Sequence, residues 1–213
     1  MTAPIDTLRA GAATLGVTLS DRQSEQLLAY GSLMLKWNKV YNLTAVRDPA
    51  GVMTHHLLDS LAVIVPLQRE WAGKGKLLDV GSGAGLPGVI IAILRSDIAV
   101  SCLDAVAKKA AFVQQVAAEL ELPNLRGLHA RVELLEGSYD VISSRAFASL
   151  PDFFNGSKNL LAPDGVWLAM KGKTPADELA ALPAWVSVFH VEQLTVPGLD
   201  AERCIIWARK QAA

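Results

Sequence analysis

The sequence has few cysteines and no long apolar run. Its two cysteines, Cys102 and Cys204, each lie inside an apolar, strand-like stretch, which favours two buried free thiols over a disulfide or a thiolate metal site. No stretch approaches the roughly 18 consecutive apolar residues of a membrane-spanning helix, and the opening residues, MTAPIDTLRA, lack the basic and then apolar order of a signal peptide. We therefore expect a cytoplasmic protein with no membrane partner.

The chain also lacks an excess of charge of either sign. With 20 Lys and Arg against 21 Asp and Glu, its net charge is −1, so there is no global signal for nucleic-acid binding, although a local basic patch would still supply one. There is no internal repeat and no low-complexity segment. A length of 213 residues and a hydrophobic content of 51% instead favour a globular protein with one sizeable core.

The first seventy or so residues carry helix signals. Ser20 and Gln23 have the spacing of a capping box, and apolar residues follow at helical intervals. Asp48 and Pro49 form the pattern of a helix cap followed by a first-turn proline. We therefore expect an N-terminal helical extension over residues 1–70.

From residue 71 onward, short strand-like runs alternate with helical segments. This alternation predicts a mostly parallel sheet with helices on both faces. The last two runs leave no room for a crossover helix between them, so the last strand should be antiparallel. The predicted strands are 77–80, 98–103, 125–129, 139–143, 166–170, 186–194 and 204–208, and the predicted helices are 87–94, 107–120, 150–161 and 175–182.

The stretch LLDVGSGAGLPG contains three closely spaced glycines, Gly81, Gly83 and Gly85, directly after an apolar run. In an open α/β sheet, such a turn lies at the carboxyl edge, where ligands bind. A triphosphate-binding P-loop needs Lys and then Ser or Thr after its last glycine, but Val89 and Ile90 occupy those positions. The glycine loop is therefore a poor candidate for a triphosphate site.

The spacing of the three glycines distinguishes less clearly between the ligand classes that remain after triphosphates. A dinucleotide fingerprint requires glycine where Leu86 stands, so NAD is disfavoured but not excluded. The G-x-G-x-G pattern behind the acidic Asp79 resembles motif I of class I methyltransferases that use S-adenosylmethionine. That cofactor has no phosphate, so the glycines need only allow close approach of the backbone. A tight turn with no ligand remains the alternative.

Further candidates follow the other strands of the predicted sheet. Asp104 ends the second strand, where its carboxylate can accept hydrogen bonds from both ribose hydroxyls, although it can also cap the helix that follows. The ends of parallel strands meet at one edge, so we expect these groups near the glycine loop, where the cations can contact RNA phosphates. The residues are Arg131, Val132, Glu133, Arg145, Phe147, Lys171 and Lys173.

Three blocks of the sequence resemble one known family. The stretches KWNKVYNLTAVRDP and HHLLDSLAV, the glycine loop, and SRAFASL look like the bacterial small-subunit ribosomal RNA methyltransferase G family, also called glucose-inhibited division protein B. The resemblance covers residues 20–208. It implies a Rossmann-like class I methyltransferase domain over residues 71–213, and methyl transfer from S-adenosylmethionine to N7 of guanine 527 in 16S ribosomal RNA, free or in the small ribosomal subunit.

The resemblance also implies a set of cofactor contacts. Family members often carry proline where this chain has Ala84, so a slightly less rigid glycine loop is expected. Asp104 is added on the ribose argument, and Gly83 and Gly85 as part of the loop. The predicted cofactor-binding residues are Gly81, Gly83, Gly85, Leu86, Asp104, Val132, Glu133 and Arg145.

Neutral guanine N7 carries a free lone pair, so its methylation needs no base. The block after the fourth predicted strand also lacks the motif for exocyclic amines and a cysteine for pyrimidine C5. No catalytic side chain is assigned. Arg145 is expected to orient the cofactor or the base, and Phe147 either stacks on a base or packs in the core. His55, His56 and Asp59 have no further ligand cluster, so no metal is expected.

The candidates for RNA binding are basic residues in the N-terminal helical part and after the fifth strand. They are Lys36, Lys39, Arg47, Lys171 and Lys173. Three other functions stay open at this point. They are a methyltransferase for a small molecule, a nicotinamide-dependent oxidoreductase, and a noncatalytic RNA-binding module.

Overall fold

The computed structural model of the protein describes residues 3–211. Its N-terminal part is helical and its remainder alternates strands with helices. The elements, in chain order, are α1 Pro4–Thr14, α2 Asp21–Tyr41, α3 Pro49–Val52, a π-helical turn Met53–Leu58, α4 Asp59–Leu61, α5 Ile64–Glu70, β1 Gly75–Val80, α6 Gly88–Leu94, β2 Ile98–Asp104, α7 Ala107–Glu119, β3 Leu125–His129, a 3₁₀ turn Val132–Leu134, β4 Tyr139–Arg145, α8 Leu150–Ser157, β5 Leu161–Lys171, α9 Ala176–Ala180, β6 Val186–Leu194 and β7 Arg203–Lys210.

The strands form one seven-stranded sheet in the order β3-β2-β1-β4-β5-β7-β6. All neighbouring pairs from β3 to β5 are parallel, whereas β7 runs antiparallel to both β5 and β6. This confirms the predicted architecture, including the antiparallel last strand. The order reverses between β1 and β4, which places the glycine loop after β1 at the position where α/β sheets bind ligands.

One predicted helix was wrong at its end. The expected helix 150–161 stops at Ser157, and Leu161 instead begins β5. Leu161 pairs with Tyr139 of β4, and the backbone N–H of Tyr139 bonds to the carbonyl of Leu160. The pairing of the two strands therefore overrides the helical spacing of the apolar residues here.

The predicted helix starts are confirmed in atomic detail. The Ser20 hydroxyl accepts from the Gln23 N–H at 3.2 Å, and the Gln23 side chain accepts from the Ser20 N–H at 3.0 Å. Asp48 caps α3 by accepting from the Gly51 N–H at 2.8 Å, with Pro49 as the first helical residue. These caps satisfy N–H groups that would otherwise lack partners at a helix start.

Two apolar clusters cover the two faces of the sheet. The larger one joins α1–α5 to α6, α7 and one face of the sheet, and the smaller one lies under α8 on the other face. The boundary between residues 1–70 and 71–213 falls between α5 and β1 and stays a prediction. Cys102 and Cys204 are buried and unpaired, as expected.

The helical run Pro49–Glu70 is long and apolar enough, by length and composition alone, to cross a membrane. However, 72% of its most apolar window is buried inside the protein. Burial of that kind is typical of a core helix, and the run packs in the larger apolar cluster.

Candidate cofactor and RNA site

The glycine loop between β1 and α6 has the backbone that only glycine adopts easily. Gly81, Gly83 and Gly85 have φ values of +66°, +59° and +90°, a region that side chains with a Cβ avoid. Space is restricted as well, since a Cβ on Gly85 would lie 2.6 Å from Cγ2 of Val89, and one on Gly81 would overlap the ring of Phe147. The turn therefore favours glycine at all three positions, and the close approach of neighbours disfavours a Cβ at Gly81 and Gly85.

Buried groups hold the loop from below. The Ser82 N–H donates to the Leu103 carbonyl at 3.0 Å, and the Gly83 N–H donates to Oδ2 of Asp104 at 3.0 Å. The hydroxyl of Tyr30, on α2, donates to the carbonyl of Ala84 at 2.6 Å. The loop is thus fastened both to β2 and to the N-terminal helices.

Asp79 supports the loop rather than lining a cavity. It is fully buried, and its carboxylate accepts from the Gly88 N–H at 2.9 Å and from the Ser143 hydroxyl at 3.0 Å. Burial raises the pKa of Asp79 to about 7, because desolvation outweighs the two hydrogen bonds. The acidic residue of the motif therefore fixes the turn between β1 and α6.

Two cavities flank the loop and share Gly81 and Ala146. The first, which we call the Asp104 cavity, has a volume of about 450 Å³ and lies over the ends of β2 and β3. The second, the Arg145 cavity, has a volume of about 440 Å³ and lies between the loop and the N-terminal helices. The Asp104 cavity contains Val132, Glu133, Lys109, Arg131 and Phe147, and the Arg145 cavity contains Gly83, Leu86, Thr44, His56, Asp59, Lys171 and Arg203.

Asp104 does not cap α7, whose N-cap is Val106 with no side-chain cap, but it remains a candidate for the ribose. Its carboxylate accepts from the Val106 N–H at 2.9 Å, next to the start of α7, and from the Gly83 N–H of the loop. Lys109 lies 3.6 Å from Oδ2. An ionised carboxylate offers about four acceptor positions, so Asp104 keeps capacity for the two hydroxyls of a ribose.

Phe147 lies at the surface, with 41% of its area exposed. Its ring covers Gly81 and lines the Asp104 cavity. The expectation that Phe147 packs in the core was therefore wrong. Ala146 before it has a φ of +51°, which turns the chain sharply after β4 and carries the ring over the loop.

Arg145 is held by a buried aspartate from another part of the chain. Its Nη1 donates to Oδ2 of Asp59 at 2.8 Å and to the carbonyl of His55 at 3.0 Å. Oδ1 of the same carboxylate accepts from Nε of Arg203 at 2.7 Å. Asp59, only 2% exposed, therefore clamps two guanidinium groups that both line the Arg145 cavity.

Sequence reasoning missed Arg203 and considered Asp59 only as a metal ligand. Arg203 begins β7, and no spacing in the sequence links it to Asp59. The one available signal was the match of HHLLDSLAV to a family block, which marks Asp59 without giving its partner. The pairing becomes visible only when β7 lies beside β5 in the sheet.

His56 is a neutral acceptor in the wall of the Arg145 cavity. Its Nε2 lies 2.7 Å from the Thr44 hydroxyl, and its Nδ1 lies 2.8 Å from the His55 carbonyl. Because a carbonyl only accepts, Nδ1 carries the proton, so Nε2 accepts from the Thr44 hydroxyl, which itself accepts from the Val46 N–H at 3.2 Å. Burial, followed by the charge of Arg145, lowers the pKa of His56 to about 4.

The predicted RNA-binding residues differ in how free their charges are. Lys36, Lys39 and Lys173 are exposed, as is Arg47, whose Nη2 also donates to the Asn42 side chain. Lys171 is different, because its Nζ lies 2.8 Å from Oε2 of Glu178 and 2.7 Å from the Ala148 carbonyl. The expectation that Lys171 offers a free cation therefore needs correction.

The histidine pair does not form a ligand set. His55 is exposed, whereas His56 is buried and bonded to Thr44. Among residues 3–211, no group of three or more His, Cys, Asp and Glu side chains is arranged to hold a metal ion. The absence of a metal stays a prediction.

Comparison with known proteins gives the family. A family model described as rRNA small subunit methyltransferase G matches residues 23–206. A protein of Acidovorax sp. strain JS42, described as ribosomal RNA small subunit methyltransferase G, is 63% identical over 96% of this chain and 95% of its own length. The chain belongs to this family. A methyltransferase G of Methylibium petroleiphilum is 57% identical over 96% of this chain and 93% of its own length.

Solved structures resemble this methyltransferase G family member in their fold. TrmN from Thermus thermophilus has a TM-score of 0.58 and 20% identity, over 71% of this chain and 49% of TrmN. The ribosomal protein L11 methylase from Lactobacillus delbrueckii subsp. bulgaricus has a TM-score of 0.59 and 12% identity, over 72% and 79%. The predicted Rossmann-like methyltransferase fold is confirmed.

Proposed function

We propose that the chain transfers the methyl group of S-adenosylmethionine to N7 of guanine 527 in 16S ribosomal RNA, in the cytoplasm and without a metal or membrane partner. Family membership supports the reaction and the cofactor. The observation that carries the proposal is the pair of cavities that meet at Gly81, one with a carboxylate suited to a ribose and one with two clamped guanidinium groups.

The adenosine half of the cofactor fits the Asp104 cavity. Asp104 would accept from the ribose hydroxyls, and Val132 and Glu133, which line the same cavity after β3, would hold the base. Gly81, which both cavities share, would allow close approach of the methionine half. In this assignment, the cofactor-binding residues are Gly81, Gly83, Gly85, Leu86, Asp104, Val132, Glu133 and Arg145.

The protein's contribution to the chemistry is to position and to stabilise charge. When bound, S-adenosylmethionine would supply a methyl group on a positively charged sulfur, and guanine N7 would bond to the methyl carbon as the carbon–sulfur bond breaks, which leaves S-adenosylhomocysteine and a positively charged N7-methylguanine with no proton lost. The hydrogen bonds of the acid–base side chains in the Arg145 cavity are consistent with a reaction that needs no base. Asp59 accepts hydrogen bonds from two arginines, and His56 is hydrogen-bonded to Thr44. Arg145 orients the reactants, and catalysis rests on alignment.

The residues proposed to contact RNA are exposed cations that do not line either cavity. Lys36 and Lys39 are exposed on α2, and Arg47 is exposed on the loop that also supplies Thr44 to the cavity wall. Lys173 is exposed after β5. These cations can contact phosphates around the target base, and Phe147 offers an exposed ring for stacking. Lys171 we assign to the cavity wall, because Glu178 balances its charge.

The decisive experiment is incubation of the pure protein and labelled S-adenosylmethionine with small ribosomal subunits and with naked 16S RNA, followed by mapping of the modified nucleotide. Label on N7 of one guanine supports the proposal, whereas no label in either RNA contradicts it. A sample without protein is the control. Binding of NAD in place of S-adenosylmethionine would favour an oxidoreductase, and binding of RNA without methyl transfer would favour a noncatalytic module.

A further inference from the structure

The apex of the glycine loop is tied to helix α2 by one buried tyrosine. Tyr30 is fully buried, and its hydroxyl donates to the carbonyl of Ala84 at 2.6 Å. Ala84 stands between Gly83 and Gly85 and lines the Arg145 cavity. Among residues 3–211, this is the one side-chain hydrogen bond that joins α1–α5 to loop residues 81–87.

The other fastenings of the loop act on N–H groups. Ser82 and Gly83 donate to β2, and the N–H groups of Gly85 and Leu86 donate to the Ser82 carbonyl at 2.8 and 3.0 Å. Within the described part of the chain, Tyr30 is the single partner of the Ala84 carbonyl. Removal of its hydroxyl would therefore leave a buried acceptor without a donor, because Ala84 is only 4% exposed.

Two hydrogen bonds hold the Ala84–Gly85 peptide, one from Tyr30 to its carbonyl and one from the Gly85 N–H to the Ser82 carbonyl at 2.8 Å, so loss of the first leaves the second alone. Gly83 and Gly85 both have positive φ, and a peptide group next to glycine rotates with little steric resistance. An unpaired Ala84 carbonyl would be free to turn toward the Arg145 cavity, which Ala84 lines. It would then bring an oxygen into the space that the methionine half of the cofactor occupies.

We propose that Tyr30 is a positioning residue for S-adenosylmethionine, which holds the Ala84–Gly85 peptide in the orientation that leaves the cofactor's path open. The inference rests on the proposed function. It also shows how a loop with alanine at this position is kept rigid, namely by a hydrogen bond from α2. Burial raises the pKa of Tyr30 well above its usual value, so the hydroxyl remains a donor throughout the working pH range.

The hydroxyl can be separated from the packing of the ring. The Tyr30 ring stacks on Phe112 with centroids 6.3 Å apart and an interplanar angle of 26°. Substitution Tyr30→Phe keeps this contact and removes only the donor. A matched control is Tyr139→Phe, since Tyr139 is buried in β4 on the other face of the sheet and, within residues 3–211, makes no side-chain hydrogen bond to the loop.

The test measures binding and turnover of both variants beside the wild-type protein. Calorimetry gives the Kd for S-adenosylmethionine, and methylation of small subunits gives kcat and both KM values. For Tyr30→Phe we expect Kd and the cofactor KM to rise about five- to tenfold. The kcat at saturating cofactor and the KM for the subunit should stay within about twofold, and Tyr139→Phe should match the wild type in all four values.

Three results would overturn the proposal. They are an unchanged Kd in Tyr30→Phe, a fall in kcat with unchanged cofactor binding, and an equal loss of binding in both variants, which would indicate general destabilisation. A wild-type protein that binds no S-adenosylmethionine removes the proposed function as well, whereas normal wild-type binding with an unaffected variant removes this inference alone.

A second variant guards against a folding defect. Ala84→Gly leaves the Tyr30 hydroxyl in place but loosens the peptide that it holds. In the wild-type background we expect Ala84→Gly to change Kd less than about threefold, and in the Tyr30→Phe background to weaken binding by a larger factor. Equal factors in both backgrounds would contradict a shared role.

Discussion

The Asp104 cavity and the Arg145 cavity share Gly81 and Ala146, but different parts of the chain build them. The Asp104 cavity consists of loops that follow β1–β4, and all of its residues come from the carboxyl edge of the sheet. The Arg145 cavity also needs Leu43, Thr44, His56 and Asp59 from the N-terminal helices, and Arg203 from β7. The first cavity is thus built at the edge of the sheet alone, whereas the second also needs the N-terminal helices.

The electrostatics differ in the same way. In the Asp104 cavity, the carboxylate of Asp104, 7% exposed, accepts from two backbone N–H groups, and the lining also holds both acidic and basic side chains, namely Glu133, Lys109 and Arg131. The Arg145 cavity places two guanidinium groups on one buried carboxylate, which leaves an excess of positive charge. The first arrangement suits the hydroxyls of a nucleoside, and the second suits an anion or an electron-rich base.

The largest expected effect is on the pH dependence of the free energy of unfolding. This dependence has opposite signs for Asp79, below the glycine loop, and His56, in the wall of the Arg145 cavity. The pKa of Asp79 rises from 3.8 to about 7 on folding, so its stabilisation is present below pH 3.8 and lost as pH rises toward 7. The pKa of His56 falls from 6.5 to about 4, so its stabilisation is present above pH 6.5 and lost as pH falls toward 4.

Each replacement removes the titration of one group, so the pH dependence of the unfolding free energy that remains shows the contribution of the other. From pH 4 to 7, Asp79→Asn should gain up to roughly 4 kcal/mol relative to the wild type, and His56→Gln should lose up to roughly 3 kcal/mol, at about 1.4 kcal/mol per pKa unit. Urea unfolding at a series of pH values measures both. Curves for the two variants that run parallel to the wild-type curve would contradict these assignments.

The next effect tests the Asp104 cavity. Asp104→Ala removes the acceptor for two ribose hydroxyls and the anchor of the Gly83 N–H, so the Kd for S-adenosylmethionine should rise about 100-fold. Asp104→Asn, which keeps the size but loses the charge, should have a smaller effect. Calorimetry without RNA measures both variants. Unchanged binding in Asp104→Ala would mean that the adenosine lies elsewhere.

A smaller effect tests the Arg145 cavity. Asp59→Asn weakens the clamp on Arg145 and Arg203, and we expect kcat/KM for small subunits to fall about 30-fold, a loss of about 2 kcal/mol in transition-state stabilisation. The cofactor Kd should also rise, but by a smaller factor, because Arg145 is only one of the residues assigned to the cofactor. Circular dichroism checks the fold, and Arg203→Lys, which keeps the charge but not the planar fork, serves as the comparison. Equal losses in cofactor binding and turnover would argue against separate roles for the Asp104 cavity and the Arg145 cavity.

The smallest expected effect concerns the exposed cations that we propose to contact RNA. Replacement of Lys36, Lys39 and Arg47 by alanine should weaken binding of ribosomal RNA about tenfold at moderate salt, and each lost phosphate contact should lower the slope of log K against log salt by about 0.7–0.9. The cofactor Kd should not change, because these side chains are exposed outside the cavities. Filter binding at several salt concentrations measures the effect, and unchanged RNA binding would remove these residues from the interface.

Much of the Asp104 cavity could be predicted from local sequence patterns. Alternating apolar runs indicated β1, β2 and β3, and parallel strands bring their carboxyl ends to one edge. Asp104, Val132 and Glu133 could therefore be placed near the glycine loop before any coordinates. The same patterns placed Lys171 and Phe147 near the loop, where each lines a cavity, but they did not give the Glu178 partner of Lys171 or the exposed ring of Phe147.

The sequence by itself determined the order of the strands along the chain, the turns that only glycine can make and the caps of the helices, because these depend on neighbours a few residues away. Only the tertiary structure decided which distant groups meet. Asp59 pairs with residues 86 and 144 positions away, and Tyr30 bonds to a carbonyl 54 positions away. Such contacts depend on the sheet order and on how the N-terminal helices pack, and no local period encodes either.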